Sequence, residues 1–108
     1  MKDCVFCKIR DGDIPKDFEY EDEDVMVFDD INPIKPAHLL IVPKKHLKDF
    51  NELVSNEKLE LKLNKVIRSM ISEKRLTNKG FKIFMNGGGA QLVDHLHIHL
   101  TGPWEKGA

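Results

Sequence analysis

His95-Leu96-His97-Ile98-His99-Leu100-Thr101 alternates polar and apolar residues with a period of two. In a β-strand that period sends His95, His97 and His99 to one face and Leu96, Ile98 and Leu100 to the other. The apolar face anchors the strand to a core. Three neighbouring imidazoles are not a packing choice, because each carries a donor or acceptor that burial would have to satisfy. Leu96 to Leu100 is therefore read as the last strand of the domain, with a chemical face on one side.

Upstream of this strand, Asn86-Gly87-Gly88-Gly89 forms a glycine loop, and Phe81 to Met85 reads as a strand entered through the turn Thr77-Asn78-Lys79-Gly80. Leu59, Leu63, Val66, Ile67, Met70 and Ile71 share one helical face, which predicts a helix over 56–74. Asp49 and Glu52 have the spacing of a capping box and open a short helical turn after Lys44-Lys45-His46. His38 to Val42 is a β run ended by Pro43, and two prolines make Asn32 to Pro36 a loop. Phe18 to Tyr20 and Val25 to Phe28 read as a hairpin across the acidic turn Glu21-Asp22-Glu23-Asp24, which is expected to be solvated. Val5, Phe6 and Ile9 give an opening helix of one or two turns before Asp11-Gly12-Asp13. The pattern predicts an α+β domain: an antiparallel sheet of about five strands, one long helix and a short N-terminal helix.

The 108 residues suit one domain with one core, residues 1–108. With 17 basic and 18 acidic side chains the net charge is −1, which provides no general field for gripping a nucleic-acid backbone. A nucleic-acid polymer is thus an unexpected partner, and phosphate recognition has to come from a local arrangement suited to a small ligand. No apolar run approaches the roughly 18 residues of a membrane span, and Met1-Lys2-Asp3-Cys4 lacks signal-peptide character. The expected location is cytoplasmic. In that compartment a disulfide between Cys4 and Cys7 is a poor explanation for the pair, which leaves metal binding or burial.

Two readings of the histidine face follow from chemistry alone. The three rings jointly ligate a transition metal, or one is a nucleophile on an electrophile that the others position. The glycine loop Asn86-Gly87-Gly88-Gly89-Ala90 offers backbone N–H groups to an anion, and anion plus imidazole points toward phosphate chemistry.

The motif His95-Leu96-His97-Ile98-His99-Leu100-Thr101 resembles the signature of the histidine triad (HIT) nucleotide-binding proteins. The resemblance extends through Cys4-Val5-Phe6-Cys7-Lys8-Ile9, Val27 to Pro33, Pro36-Ala37-His38 and Ile41 to His46. It implies the HIT-like fold, a purine nucleotide ligand and a homodimer. It also implies that His97 attacks the α-phosphorus of a nucleoside phosphoramidate or related nucleotide, giving a nucleotidyl-histidine, with His99 at the phosphate. By the same resemblance Asn86, Gly89 and Ala90 flank the phosphate, Asp30 binds ribose hydroxyls, and Val5, Phe6, Ile14, Phe28 and Ile31 wall the purine. A dinucleoside polyphosphate hydrolase, a nucleotidyltransferase and a non-catalytic nucleotide sensor are the rival activities.

Cys4 and Cys7 form a C-x-x-C, half of a tetrahedral zinc site. Similarity to zinc-containing bacterial members of the family implies that His46 and His95 complete it, in which case Zn2+ is structural and fixes the first triad residue. His38 is expected to orient a neighbouring group by hydrogen bond. Two positions depart from the family pattern: Leu92 stands where phosphoramidase-like members commonly have a serine, and Thr101 replaces an apolar residue.

Overall fold

A computed structural model describes residues 3–107, so Met1 and Lys2 of the amino-terminal reading lie outside the described residues. The element order is α1 (Val5–Arg10), β1 (Tyr20–Glu21), β2 (Val25–Asp29), β3 (Ala37–Pro43), a 3-10 helix (Phe50–Ser55), α2 (Glu57–Glu73), β4 (Lys82–Phe84) and β5 (Ile98–Gly102). The strands form one antiparallel five-stranded sheet in the order β1-β2-β3-β5-β4. This is the expected α+β architecture.

Alternation along the strands sorts the core onto two faces. Val25, Val27, Leu39, Ile41, Ile98 and Leu100 meet Leu59, Leu63, Val66, Ile67 and Met70 of α2. Met26, Phe28, Leu40 and Val42 pack on the opposite face against Phe6, Cys7 and Ile9 of α1. β2 and β3 are thus buried on both faces, as their near-continuous apolar runs require. None of the helices among the described residues is long and apolar enough to cross a membrane.

Local chemistry explains the element ends. Asn56 caps α2 by accepting the Leu59 N–H at 3.1 Å. Cys4 caps α1 through its sulfur, which accepts the Cys7 N–H at 3.3 Å. Asp49 caps the 3-10 helix through Asn51 N–H, but Glu52 reaches back to the Lys48 N–H, one residue before the N–H a capping box uses.

The structure corrects two further expectations. Asp22 is no merely solvated acidic residue: its carboxylate accepts from Tyr20 Oη at 2.6 Å and from the backbone N–H groups of Asp24 and Val25, and pairs with Lys62 Nζ at 3.1 Å. The last strand starts at Ile98, not Leu96. Ile98 pairs with Ile41, so pairing continued toward the triad would run into Pro43, which has no N–H to give. Leu96 N–H turns instead to the Leu47 carbonyl at 2.6 Å. His95 and His97 therefore lie on the approach to β5 and only His99 lies within it.

Candidate active site and metal centre

β5 places His99 beside Leu40 of β3 and Phe84 of β4, so His38, two residues before Leu40, is its diagonal neighbour on the same face. The His38 and His99 rings join through Nε2 and Nδ1 at 2.9 Å. The partners settle the proton's place. Ile34 N–H donates to His38 Nδ1 at 3.2 Å, so His38 carries its proton on Nε2 and donates it to His99 Nδ1. A neutral His99 is then protonated on Nε2, an outward donor. Asp30 closes the group, with Oδ2 at 3.4 Å from His38 Nε2 and Oδ1 accepting the Asn32 N–H. Asp30, His38 and His99 converge closely enough for a cation, but the proton on His38 Nε2 occupies the lone-pair position a metal would need.

His97 is fixed by its own chain. Nδ1–H donates to the His95 carbonyl at 2.8 Å, which leaves Nε2 with its lone pair. The ring is buried, packed edge-on against Phe6 at 5.1 Å between centroids and against His99 at 5.1 Å. Phe84 stacks on His99 at 4.5 Å, with the planes 7° apart. Sequence reading passed over Phe84; the register that sets Lys82 against Thr101 and Phe84 against His99 would have revealed it.

Burial, together with the nearby His97 and His38 rings, holds His99 well below the ordinary histidine range, at about 4. The ring is neutral at neutral pH, as donation through Nε2 demands. An exposed histidine protonates near 6.5, so between that value and about 4 the unfolded chain binds a proton the folded chain does not. Stability should therefore fall as pH drops through this window. Urea titrations at about pH 7 and about pH 5 should show the midpoint declining, and His99→Gln should shrink the decline. An unchanged decline in the variant would remove His99 as its source.

The second centre lies behind His95, which is fully buried. His95 Nε2–H donates to the Pro43 carbonyl at 2.7 Å, so Nδ1 holds the lone pair. That nitrogen faces Cys4 Sγ at 3.3 Å, Cys7 Sγ at 3.6 Å and His46 Nδ1 at 3.1 Å, and Cys7 Sγ is 3.2 Å from His46 Nδ1. All four ligand atoms lie within 4.8 Å of one another. Bonds of about 2.0 Å to nitrogen and about 2.3 Å to sulfur imply tetrahedral edges of roughly 3.3–3.8 Å, so the donor set fits one dication. Burial holds His95 neutral, at about 4, and pushes the Cys7 thiol up. A bound dication would offset the second effect by stabilising the thiolate.

The remaining expected residues fall into three groups. Phe6 and Phe28 are buried and touch edge-on at 5.7 Å, with Phe18 and half-buried Ile14 beside them. Val5 is exposed, and Ile31 is 83% exposed on the loop that carries Asp30. Asn86 is exposed at the start of the glycine loop, where Gly88 and Gly89 adopt φ of 63° and 97°. The N–H groups of Gly88, Gly89 and Ala90 are already given to Asp49 Oδ2, Gln91 Oε1 and the Gly87 carbonyl. Leu92 is 98% exposed and lines a cavity with Asp3, Cys4, Val5, His46 and Asp94, on the side of the Cys/His cluster.

Fold and site together define a small α+β domain that sets a basic imidazole nitrogen beside a hydrogen-bonded histidine pair and a four-ligand cluster. Residues 3–107 match the family described as "Scavenger mRNA decapping enzyme C-term binding". A HIT-like protein of Methanocaldococcus jannaschii is 39% identical over 104 residues, covering 94% of this chain and 80% of that protein. Protein HitA of Neisseria gonorrhoeae is 39% identical over 105 residues, covering 94% of this chain and 97% of its own. Among solved structures, a HIT family hydrolase from Clostridium thermocellum superposes with a TM-score of 0.92 at 36% identity, covering 100% of this chain and 96% of that one. A histidine triad protein from Clostridium difficile gives 0.89 at 37% identity, with 97% and 94% covered. The chain belongs to the histidine triad (HIT) family and has its nucleotide-binding, hydrolase-type fold.

Proposed function

We propose that this protein hydrolyses a purine nucleoside phosphoramidate or related nucleotide through a nucleotidyl-His97 intermediate. The observation that carries this reading is the bond from His97 Nδ1–H to the His95 carbonyl, which leaves Nε2 as a fixed lone pair. Nε2 attacks the α-phosphorus, and the bond from phosphorus to the leaving group breaks, the leaving group taking the electron pair and a proton from solvent. Water then attacks the same phosphorus and releases a proton to solvent, the bond to His97 breaks with its pair returning to Nε2, and a nucleoside monophosphate departs.

His99, turned by His38, offers its Nε2–H to the phosphoryl oxygens or the departing group. Asp30 accepts from the ribose hydroxyls. Asn86 donates to the phosphate, and Gly89 and Ala90 contact it by exchanging their internal hydrogen bonds. Val5, Phe6, Ile14, Phe28 and Ile31 form the apolar side that receives the purine.

We assign Cys4, Cys7, His46 and His95 as the residues that would hold Zn2+, which would supply a structural anchor and no catalytic water. The His95 carbonyl that orients His97 belongs to one of these four residues, so the anchor reaches the nucleophile through a single residue.

Adenosine phosphoramidate, diadenosine polyphosphates and a phosphorylated acceptor separate the alternatives. Release of AMP from the phosphoramidate, with a nucleotidyl adduct trapped by acid quench, supports the leading reading. Preferential cleavage of the dinucleotide, transfer to the acceptor, or binding without turnover would each replace it with the corresponding rival.

We further propose that the chain acts in the cytoplasm as a homodimer and that residues 1–108 form one domain. An apolar groove of about 380 Å3 supports the dimer: Phe50, Leu53, Ile67, Phe81, Ile83 and Met85 line it, beside the edge strand β4. Ile83→Asp should halve the mass measured by light scattering. Wild-type protein that is already monomeric, or a variant mass unchanged from a dimer, would remove this contact.

A further inference from the structure

Asp49 and Gln91 are buried polar side chains that the proposed chemistry does not use. Both are hydrogen-bonded to backbone through two polar contacts. Asp49 Oδ2 accepts the Gly88 N–H at 2.9 Å while Oδ1 accepts the Asn51 N–H at 3.0 Å. Gln91 Oε1 accepts the Gly89 N–H at 3.0 Å, and Gln91 Nε2 donates to the Lys48 carbonyl at 3.2 Å. Next along the chain, Leu96 N–H meets the Leu47 carbonyl. Residues 47, 48 and 49 are thus each tied to the segment 88–96, and the residue before them, His46, belongs to the Cys/His cluster.

Geometry explains why the tie is specific. Gly88 and Gly89 have positive φ and no side chains to hold them, so their placement comes from what their N–H groups bind. Gly87 lies against Asp49: a Cβ built there would meet Asp49 Cβ at 3.3 Å. A carboxylate and a carboxamide, both shielded from water, make strong partners for such N–H groups.

We infer that Asp49 and Gln91 are positioning residues that latch the glycine loop to the strap 46–49, so that metal held at His46 sets the loop that flanks the phosphate. The link to phosphate rests on the proposed function; the latch itself does not. Loss of the metal frees His46, loosens the strap and lets Gly88 and Gly89 exchange their partners. The carboxylate also supplies the negative charge that an incoming phosphate must replace or avoid at Gly88, so the latch governs how tightly the loop receives an anion.

Amide hydrogen exchange of the metal-replete wild-type protein, read by NMR at Gly88 and Gly89, tests the latch without any substrate. Protection should fall roughly tenfold at both on chelation, and by a similar factor at Gly89 in Gln91→Ala, as expected for loss of a bond worth a factor of ten. Chelating the variant should add little at Gly89, whose connection is already broken, whereas Gly88, still held by Asp49, should keep its response. Gln91→Glu keeps the acceptor for Gly89 but loses the donor to Lys48, so Gly89 should retain protection in replete protein and lose its response to metal. Asp49→Asn should retain most of the protection that Asp49→Ala loses.

Equal Gly89 protection in wild type and Gln91→Ala, or a chelation effect at Gly89 of the same size in both, would overturn the latch. If the exchange pattern holds while the phosphoramidate is not turned over, only the functional reading fails. If turnover is present, Gln91→Ala should raise KM severalfold with kcat little changed, and an unchanged KM would sink the link to phosphate.

Discussion

His97→Ala should abolish turnover of adenosine phosphoramidate while leaving the fold intact. Deleting the nucleophile of a covalent mechanism removes the intermediate itself, and comparable deletions elsewhere cost on the order of 10⁴–10⁶ in kcat. The ring is buried, but it makes one side-chain hydrogen bond, to the His95 carbonyl on the chain segment leading into β5, so its loss leaves the sheet pairing untouched. Stopped-flow or single-turnover measurement of AMP release is the check, with mass spectrometry of acid-quenched wild type showing a nucleotidyl adduct that the variant lacks. His99→Ala should cost less, roughly 10²–10³-fold, because it removes a donor to developing charge and not the attacking atom. Turnover in His97→Ala within tenfold of wild type would overturn the nucleotidyl-histidine mechanism.

Metal removal should produce the largest change in stability. Structural zinc contributes about 10–16 kcal/mol of apparent binding energy in small peptides, where binding and folding are one process. Here the sheet and α2 hold a separate apolar core, so the domain should survive chelation but melt at least about 10 °C lower. Purified protein should carry one zinc per chain by elemental analysis, and Cys7→Ser should lose it and melt near the chelated wild type. Cys7 is the more telling cysteine because it lies near both His46 and His95. A metal-free protein from chelator-free, reducing purification, melting unchanged with chelator, would reject the assignment.

What the sequence made legible was local or periodic. α2 could be read almost to the residue because six apolar positions share a face and Asn56 supplies a cap. The strand alternation sent Ile98 and Leu100 to a core face, and the structure shows that α2 packs on it. The start of β5 was not legible, because it depends on which residue of β3 lies opposite, and that residue turned out to be near Pro43. Backbone partners escaped for the same reason. The His95 carbonyl that orients His97, the Pro43 carbonyl that frees His95 Nδ1 and the Ile34 N–H that sets the His38 proton carry no side-chain signature. The glycine loop was visible as a loop, but its N–H groups looked available only because Asp49 is 39 residues away in the chain.

β4 is three residues long, and two consecutive ones serve opposite faces of the sheet. Ile83 lines the apolar groove beside α2, whereas Phe84 lies flat on His99. A slip of one residue in the pairing with β5 would trade them, putting an aliphatic side chain on the imidazole and an aromatic ring in the groove. The register of this short edge is therefore the partition between the groove proposed as the protomer contact and the imidazole face proposed for phosphate chemistry. Any contact that tugs β4 is felt on both sides of that wall.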